Sequence, residues 1–209
     1  MTNSITLREH WERIHETKPS DKVSWTQNDP QPSLDWILDL KLDPKDMIVD
    51  CGGGRSVLAE RLVDAGQLQV EVFDISIRSL AQAKLELKSE EARQNISYRV
   101  CNVLDYKPEK AVCVWHDRAV FHFLTEKKDF ETYIELVEKM APEHVIIGTF
   151  NGESPEICSG LPVKHYQTEA LATLFSDTYE CVKSLETVHR TPAGKEQDFS
   201  FVHLKLRKP

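Results

Sequence analysis

The spacing of apolar positions switches repeatedly between two kinds of segment. Arg8 to Thr17 carries Trp11 and Ile14 on one helical face. A loop follows from Lys18 to Pro30, and Pro32 suits the first turn of a helix reaching Leu40. From Met47 onward the alternation is regular. Strands are predicted at Met47–Cys51, Gln69–Asp74, Ile96–Cys101, Ala111–His116 and Val145–Phe150. Between them lie a helix from Arg55 to Ala65 stopped by Gly66, one capped by Ser76 and reaching Lys88, and one capped by Thr125. The last of these shows Phe130, Tyr133, Ile134, Val137 and Met140 on one face. A short helix, Thr168 to Phe175, precedes two strand-like runs, Tyr179–Val188 and Phe199–Leu206. The loop joining them, with Pro192-Ala193-Gly194, is too short for a parallel crossover, so these runs pair antiparallel.

Strands alternating with helices predict an α/β fold: a doubly wound, mostly parallel sheet of seven strands ending in an antiparallel hairpin. No repeat, low-complexity tract or linker divides the chain. One domain over residues 1–209 is expected, with residues 1–40 as a helical cover segment.

Composition narrows the classes. With 40% apolar and 29% charged residues, the chain is globular rather than disordered. Runs such as Ala111–Val114 are too short to span a bilayer, and the start at Met1-Thr2-Asn3-Ser4 has no secretory pattern. Five cysteines, an odd number without CxxC spacing, read as thiols of a reduced, intracellular, cytoplasmic protein. No Cys/His cluster suggests a metal. A net charge of −8 disfavours nucleic acid as a partner. The mildly basic stretch Lys183–Lys208 reads as a solvated hairpin.

The chemistry concentrates at Asp50-Cys51-Gly52-Gly53-Gly54, between the first strand and the first helix of the alternating series. Glycines there let a ligand approach the backbone, and the helix N-terminus beyond favours an anionic group. Asp74 ends the second strand, where an acid accepts ribose hydroxyls. A dinucleotide site needs a third glycine where Val57 stands. S-Adenosylmethionine has no pyrophosphate and carries an ammonium, which suits Asp50. The plainer alternatives are that Asp50 caps a turn, that Asp74 caps the next helix, and that Asn102 is a loop residue rather than an adenine contact.

At these residues the chain resembles the class I S-adenosylmethionine-dependent methyltransferases, over about residues 8 to 207. Further segments resemble one subfamily: Val23-Ser24-Trp25-Thr26-Gln27, the run from Trp115 through His116, Asp117 and His122 to Leu124, Cys158-Ser159-Gly160-Leu161-Pro162-Val163, and His189-Arg190-Thr191-Pro192. That subfamily is distantly similar to enzymes that methylate lysines of translation elongation factor 1A and citrate synthase. The resemblance implies that Asp50, Gly52 and Gly54 hold the methionine end and Asp74 the ribose, while Ile75 and Val103 sandwich the adenine beside Asn102. It places His116 and Asp117 after the fourth strand, facing the methyl group, and Trp25 over the cofactor unless it is a core aromatic. The chain departs from the pattern at Asn102, Cys51, Thr26 and Pro142-Glu143-His144. No Asn/Asp-Pro-Pro-aromatic motif follows the fourth strand, which argues against exocyclic amines of bases.

Methyl transfer from an activated donor mainly requires alignment and water exclusion. Asp117 would orient an ammonium, and His116, His122 or His189 would serve as a base for another acceptor. Each has a structural alternative, such as an Asp117–Arg118 ion pair. The expected function is methyl transfer to a protein side chain, lysine included, or to a small metabolite. The rivals are a non-catalytic cofactor-binding subunit and a nicotinamide oxidoreductase.

Overall fold

The computed structural model describes residues 4–19, 23–152 and 154–208. Met1–Asn3 and residues 20–22 of the expected loop lie outside the described residues.

Seven strands form one sheet: β1 (Ile48–Cys51), β2 (Val70–Asp74), β3 (Ile96–Val100), β4 (Val114–Arg118), β5 (His144–Phe150), β8 (Tyr179–Arg190) and β9 (Glu196–Leu206), in the order β3-β2-β1-β4-β5-β9-β8. The first five run parallel, and β9 joins β5 antiparallel and pairs with β8 as a hairpin. A two-residue ladder, β6 (Ile157–Cys158) with β7 (Leu161–Pro162), stands apart. This is the expected α/β architecture, hairpin included.

The helices are α1 (Ser4–Thr17), α2 (Ser33–Leu38), α3 (Leu58–Asp64), α4 (Ile77–Glu86), α5 (Glu90–Asn95), α6 (Lys127–Met140) and α7 (Thr168–Thr173). Side chains alternate across each strand, so the sheet has two cores. Ile48, Val72, Val114 and Ile146 pack under α2, α3, α4 and α5, with Trp36, Leu62 and Leu80. Val49, Phe73, Trp115, Val145 and Ile147 pack under α6 and α7, with Tyr133, Val137 and Leu171. This division decides which polar residues of β4 meet.

Local chemistry explains most boundaries. The Ser76 hydroxyl accepts from the Ser79 N–H at 3.1 Å and caps α4. Gly66, at φ +102°, follows α3 as expected. Elsewhere the structure corrects the sequence. α3 begins at Leu58 rather than Arg55, because the glycine turn runs on through Arg55 and Ser56, whose hydroxyl accepts from Leu58 N–H at 3.1 Å. α6 begins at Lys127, and Thr125 does not cap it. A helix not expected from spacing, α5, forms because Ser89 caps it through Ala92 N–H. β4 runs from Val114 to Arg118, so His116 and Asp117 lie within the strand and not after it. Ala111 precedes it, and Cys113 and Val114 both donate to the Met47 carbonyl as the chain enters the sheet.

α1 leans on α4, where Glu12 accepts from Ile77 N–H at 2.6 Å. The Ser24–Trp25 stretch is pinned from below. His189 Nε2 contacts the Ser24 carbonyl oxygen at 2.6 Å, and Arg118 Nη1 donates to that of Trp25 at 2.9 Å. The N-terminal segment therefore roofs the carboxyl end of the sheet. No described helix is long and apolar enough to cross a membrane.

Candidate active site

A cavity of about 930 Å³ opens at the carboxyl ends of β1, β2 and β4, beneath the Trp25 roof. That is near the upper end for small-molecule sites. Trp25, Asp50, Gly52, Gly54, Asp74, Ile75, Asn102, Val103, His116 and His122 all line it. Asp117 does not.

The glycine turn is shaped by what it approaches. Gly52 and Gly54 take φ of +61° and +48°, which L side chains rarely adopt. A Cβ on Gly53 would sit 2.7 Å from the Asp50 carboxyl carbon. One on Gly54 would come within 3.0 Å of Asp74 Oδ2. The turn thus lies flat against two carboxylates, leaving the space above it free.

Asp50 is 2% exposed, and its two oxygens differ. Oδ1 meets His116 Nδ1 at 2.7 Å, while His116 Nε2 meets the Ser33 hydroxyl at 2.8 Å. Oδ2 is buried without a protein partner. A buried carboxylate oxygen left unpaired is costly, so it marks a place for a donor from outside the chain. Because both His116 nitrogens are engaged, the ring positions Asp50 instead of standing free as a base.

Asp74 is 9% exposed, and its Oδ1 accepts from Ser76 N–H at 2.8 Å. Burial raises its carboxyl to about 6, against the pull of hydrogen bonds from Ser76 and Ser79. Ile75 and Val103 form apolar walls beside it. Asn102 lines the cavity, but its Oδ1 already accepts from Leu104 N–H at 3.0 Å, capping the one-turn helix Val103–Asp105. Its free hydrogen-bonding capacity is therefore chiefly the amide NH₂.

Asp117 corrects the sequence reading most sharply. It points to the α6 side, fully buried. Oδ1 accepts from Val120 N–H at 2.9 Å and Phe121 N–H at 3.3 Å, and Oδ2 accepts from the Tyr133 hydroxyl at 2.8 Å. Tyr133 in turn accepts from Trp115 Nε1 at 2.8 Å. Burial lifts this carboxyl to about 6, and those donors hold it down. The residue fastens the loop after β4 to α6. It does not pair with Arg118, because adjacent strand residues face opposite sides.

His122 is fully buried, and its Nδ1 accepts from Phe150 N–H at 3.2 Å. The ring proton therefore sits on Nε2, which has no protein partner. Burial, with Arg118 and His165 nearby, lowers the ring to about 3. His122 thus presents an unpartnered Nε2 at the cavity wall.

Sequence reasoning missed Ser33, Arg118 and the aromatic walls Trp11 and Phe199, whereas Phe150 is expected at the site from its place at the end of the fifth strand. Once β4 is extended to residue 118, the period-two spacing of His116 and Arg118 signals a shared face. Phe150 and Phe199 follow from the β5–β9 register, where they are direct partners.

Compared by sequence, the chain matches no protein-family model and no curated protein. Compared by structure, it aligns over almost its full length with several solved proteins. One is an S-adenosylmethionine-dependent methyltransferase from Anabaena variabilis, at TM-score 0.74 and 15% identity, covering 99% of this chain and 96% of that one. The fold is that of the S-adenosylmethionine-dependent methyltransferases. The N-methyltransferase NodS from Bradyrhizobium japonicum, in complex with S-adenosylhomocysteine, aligns at TM-score 0.70 and 15% identity over 99% of this chain and 100% of that one. The magnesium protoporphyrin IX methyltransferase from Synechocystis, with bound S-adenosylmethionine, aligns at 0.69 and 15% over 99% and 98%.

Proposed function

We propose that the chain is an S-adenosylmethionine-dependent methyltransferase acting on a small molecule. The observation that carries this reading is the unpaired, buried Asp50 Oδ2 over a glycine turn that admits no side chain. It is a socket for an ammonium beside a ribose-accepting carboxylate, Asp74. A nicotinamide dinucleotide has no ammonium for it, and Val57 stands where close pyrophosphate packing wants glycine. The solved proteins of the same fold, crystallised with S-adenosylmethionine or S-adenosylhomocysteine, support the same cofactor.

In this reading Asp50 binds the ammonium, with His116 and Ser33 fixing its carboxylate. Gly52 and Gly54 shape the backbone along the methionine end. Asp74 accepts the ribose hydroxyls, and Ile75 and Val103 flank the adenine, with the Asn102 amide at its edge. S-Adenosylmethionine supplies a methyl group already activated on a sulfonium centre. The chain's own work is then alignment and exclusion of water, which the Trp25 roof and the aromatic walls provide. His122 offers a neutral N–H to the acceptor. Asp117 acts only by holding the loop that carries Val120 and His122.

A small-molecule acceptor is favoured over a protein lysine because the N-terminal segment, tied down by two backbone-directed hydrogen bonds, lies over the cavity. A non-catalytic cofactor-binding subunit gains no support from an acceptor space lined by a free donor. The test is binding followed by turnover. S-Adenosylhomocysteine should raise the melting temperature and NAD should not. The reverse result refutes the assignment. Methyl transfer from labelled S-adenosylmethionine to an extract of small metabolites, retained after protein is removed, supports a small acceptor. Label confined to protein refutes it.

A further inference from the structure

The acceptor half of the cavity is built by β4, β5, β9, the β6–β7 hairpin and the N-terminal segment. Among the described residues, its lining includes two cations, Lys18 and Arg118, and no carboxylate. The acids that line the cavity lie elsewhere. Asp50 and Asp74 face the cofactor end, and Glu86 is held by Arg55. Asp105, Glu126 and Asp129 lie where α6 packs against the one-turn helix Val103–Asp105. A lysine side chain entering the acceptor half would bring a third cation beside Lys18 and Arg118, with no carboxylate among the described lining residues of that half to pair with it.

Arg118 is partly buried and incompletely used. Nη1 donates to the Trp25 carbonyl oxygen at 2.9 Å, and the guanidinium lies over the Phe199 ring, 5.0 Å from its centroid. Nε is buried without a partner, and among the described residues no carboxylate pairs with the group. Burial lowers it only to about 10, so it remains charged at neutral pH. Nε and Nη2 form the side-on edge of a guanidinium, which grips a carboxylate with two parallel hydrogen bonds. Among the described residues that edge has no acceptor.

Several of the other walls are rings. Phe150 and Phe199 meet edge to face at 5.1 Å, Trp11 and Trp25 at 5.8 Å, and Trp11 and Phe123 at 5.2 Å. Such walls fit a flat apolar body. We infer that the methyl acceptor is a small molecule with a flat, apolar or aromatic body and a carboxylate, held by the unpaired edge of Arg118. This rests on the methyltransferase reading and deepens it. It places the substrate's charge at the β4–β9 side of the cavity.

The test compares matched probes on protein saturated with S-adenosylhomocysteine: benzoate, anthranilate and indole-3-carboxylate, each against its primary amide, with benzylamine as the cation. Calorimetry should give at least one carboxylate an affinity about tenfold or more above that of its amide. Arg118→Gln should erase that advantage while keeping the thermal shift given by S-adenosylhomocysteine, which also shows the variant is folded. The wild-type comparison stands even if the variant does not fold, because a residue that only props up Trp25 creates no preference for carboxylate over amide. The inference is overturned if no carboxylate outbinds its amide, if benzylamine binds best, or if the preference survives in Arg118→Gln. Failure of S-adenosylhomocysteine itself to bind would instead overturn the methyltransferase reading.

Discussion

Asp74→Asn should make the empty protein more stable and the cofactor bind worse, with a pH signature that separates the two effects. Burial lifts the Asp74 carboxyl from its ordinary 3.8 to about 6. Ionising it in the folded, empty chain therefore costs about 3 kcal/mol more than in the unfolded chain. A carboxyl raised in this way makes the folded state bind more protons than the unfolded state between those two values. Stability contributed by its neutral form is then lost as pH rises through that window, and is gone above pH 6. The asparagine escapes that loss and keeps an oxygen for the Ser76 N–H, which Oδ1 accepts at 2.8 Å. The stability of Asp74→Asn relative to wild type should thus rise by about 1.4 kcal/mol between pH 5 and pH 8, roughly 3–6 °C in melting temperature. Urea unfolding at the two pH values measures it. S-Adenosylhomocysteine affinity at pH 8 should meanwhile fall by about one to two orders of magnitude, the worth of a charge-assisted hydrogen bond to the ribose. Wild-type affinity should also drop below pH 6, and that of the variant should not. A variant whose stability offset is the same at both pH values would refute the raised carboxyl. Unchanged affinity would refute the ribose contact.

Three further outcomes test the remaining assignments. Asp117→Ala leaves Val120 N–H, Phe121 N–H and the Tyr133 hydroxyl unpaired. Its melting temperature should fall by roughly 4–8 °C with cofactor affinity within about twofold of wild type; a well-folded variant that binds S-adenosylhomocysteine poorly would return Asp117 to the site. His116→Ala frees Asp50 Oδ1 and should weaken S-adenosylhomocysteine binding by about tenfold or more in calorimetry; no change would mean Asp50 needs no orienting partner. His122, lowered to about 3, should remain a neutral Nε2–H ring down to pH 4 in ring-selective NMR; a midpoint near 6.5 would show an open, hydrated ring.

Much of this molecule is legible in its sequence. Continuous apolar runs such as Val145–Phe150 can only be buried on both faces, and an alternating series of them with amphipathic helices leaves few folds. Ser76 announces its helix because a hydroxyl at that position satisfies an otherwise orphaned N–H. Asp50 and Asp74 are readable because each lies at or next to the end of a strand beside the glycine turn. The strand-four region is not readable in the same way. Hydrophobicity places its end near His116, since Asp117 and Arg118 look like loop residues. Both are accommodated in β4 by partners that hydrophobicity does not encode: Tyr133 from α6 for one, and the Trp25 carbonyl and Phe199 ring for the other. These contacts span sequence separations that no local pattern reports. The α3 start is misplaced for a related reason, because Arg55 favours helix in isolation but is held in the turn with Ser56, whose hydroxyl accepts from Leu58 N–H.

A shift of strand-four boundary by two residues reverses the chemistry assigned to it. With β4 ending at His116, Asp117 and Arg118 are loop neighbours free to pair, and Asp117 is available for an ammonium. With β4 ending at Arg118, the pleat sends Trp115 and Asp117 toward α6 and sends His116 and Arg118 to the cavity. The acid leaves the acceptor space, and a guanidinium enters it. One acceptor class loses its partner and the opposite class gains one, without any change in the residues themselves. The proposed cofactor end is insulated from this ambiguity because the groups assigned to it, Asp50, Asp74 and the glycine turn, lie near strand ends fixed by the β1–β2 register. Cofactor and acceptor are therefore specified by different orders of information: the first by local motif and spacing, the second by which face of a central strand each side chain takes.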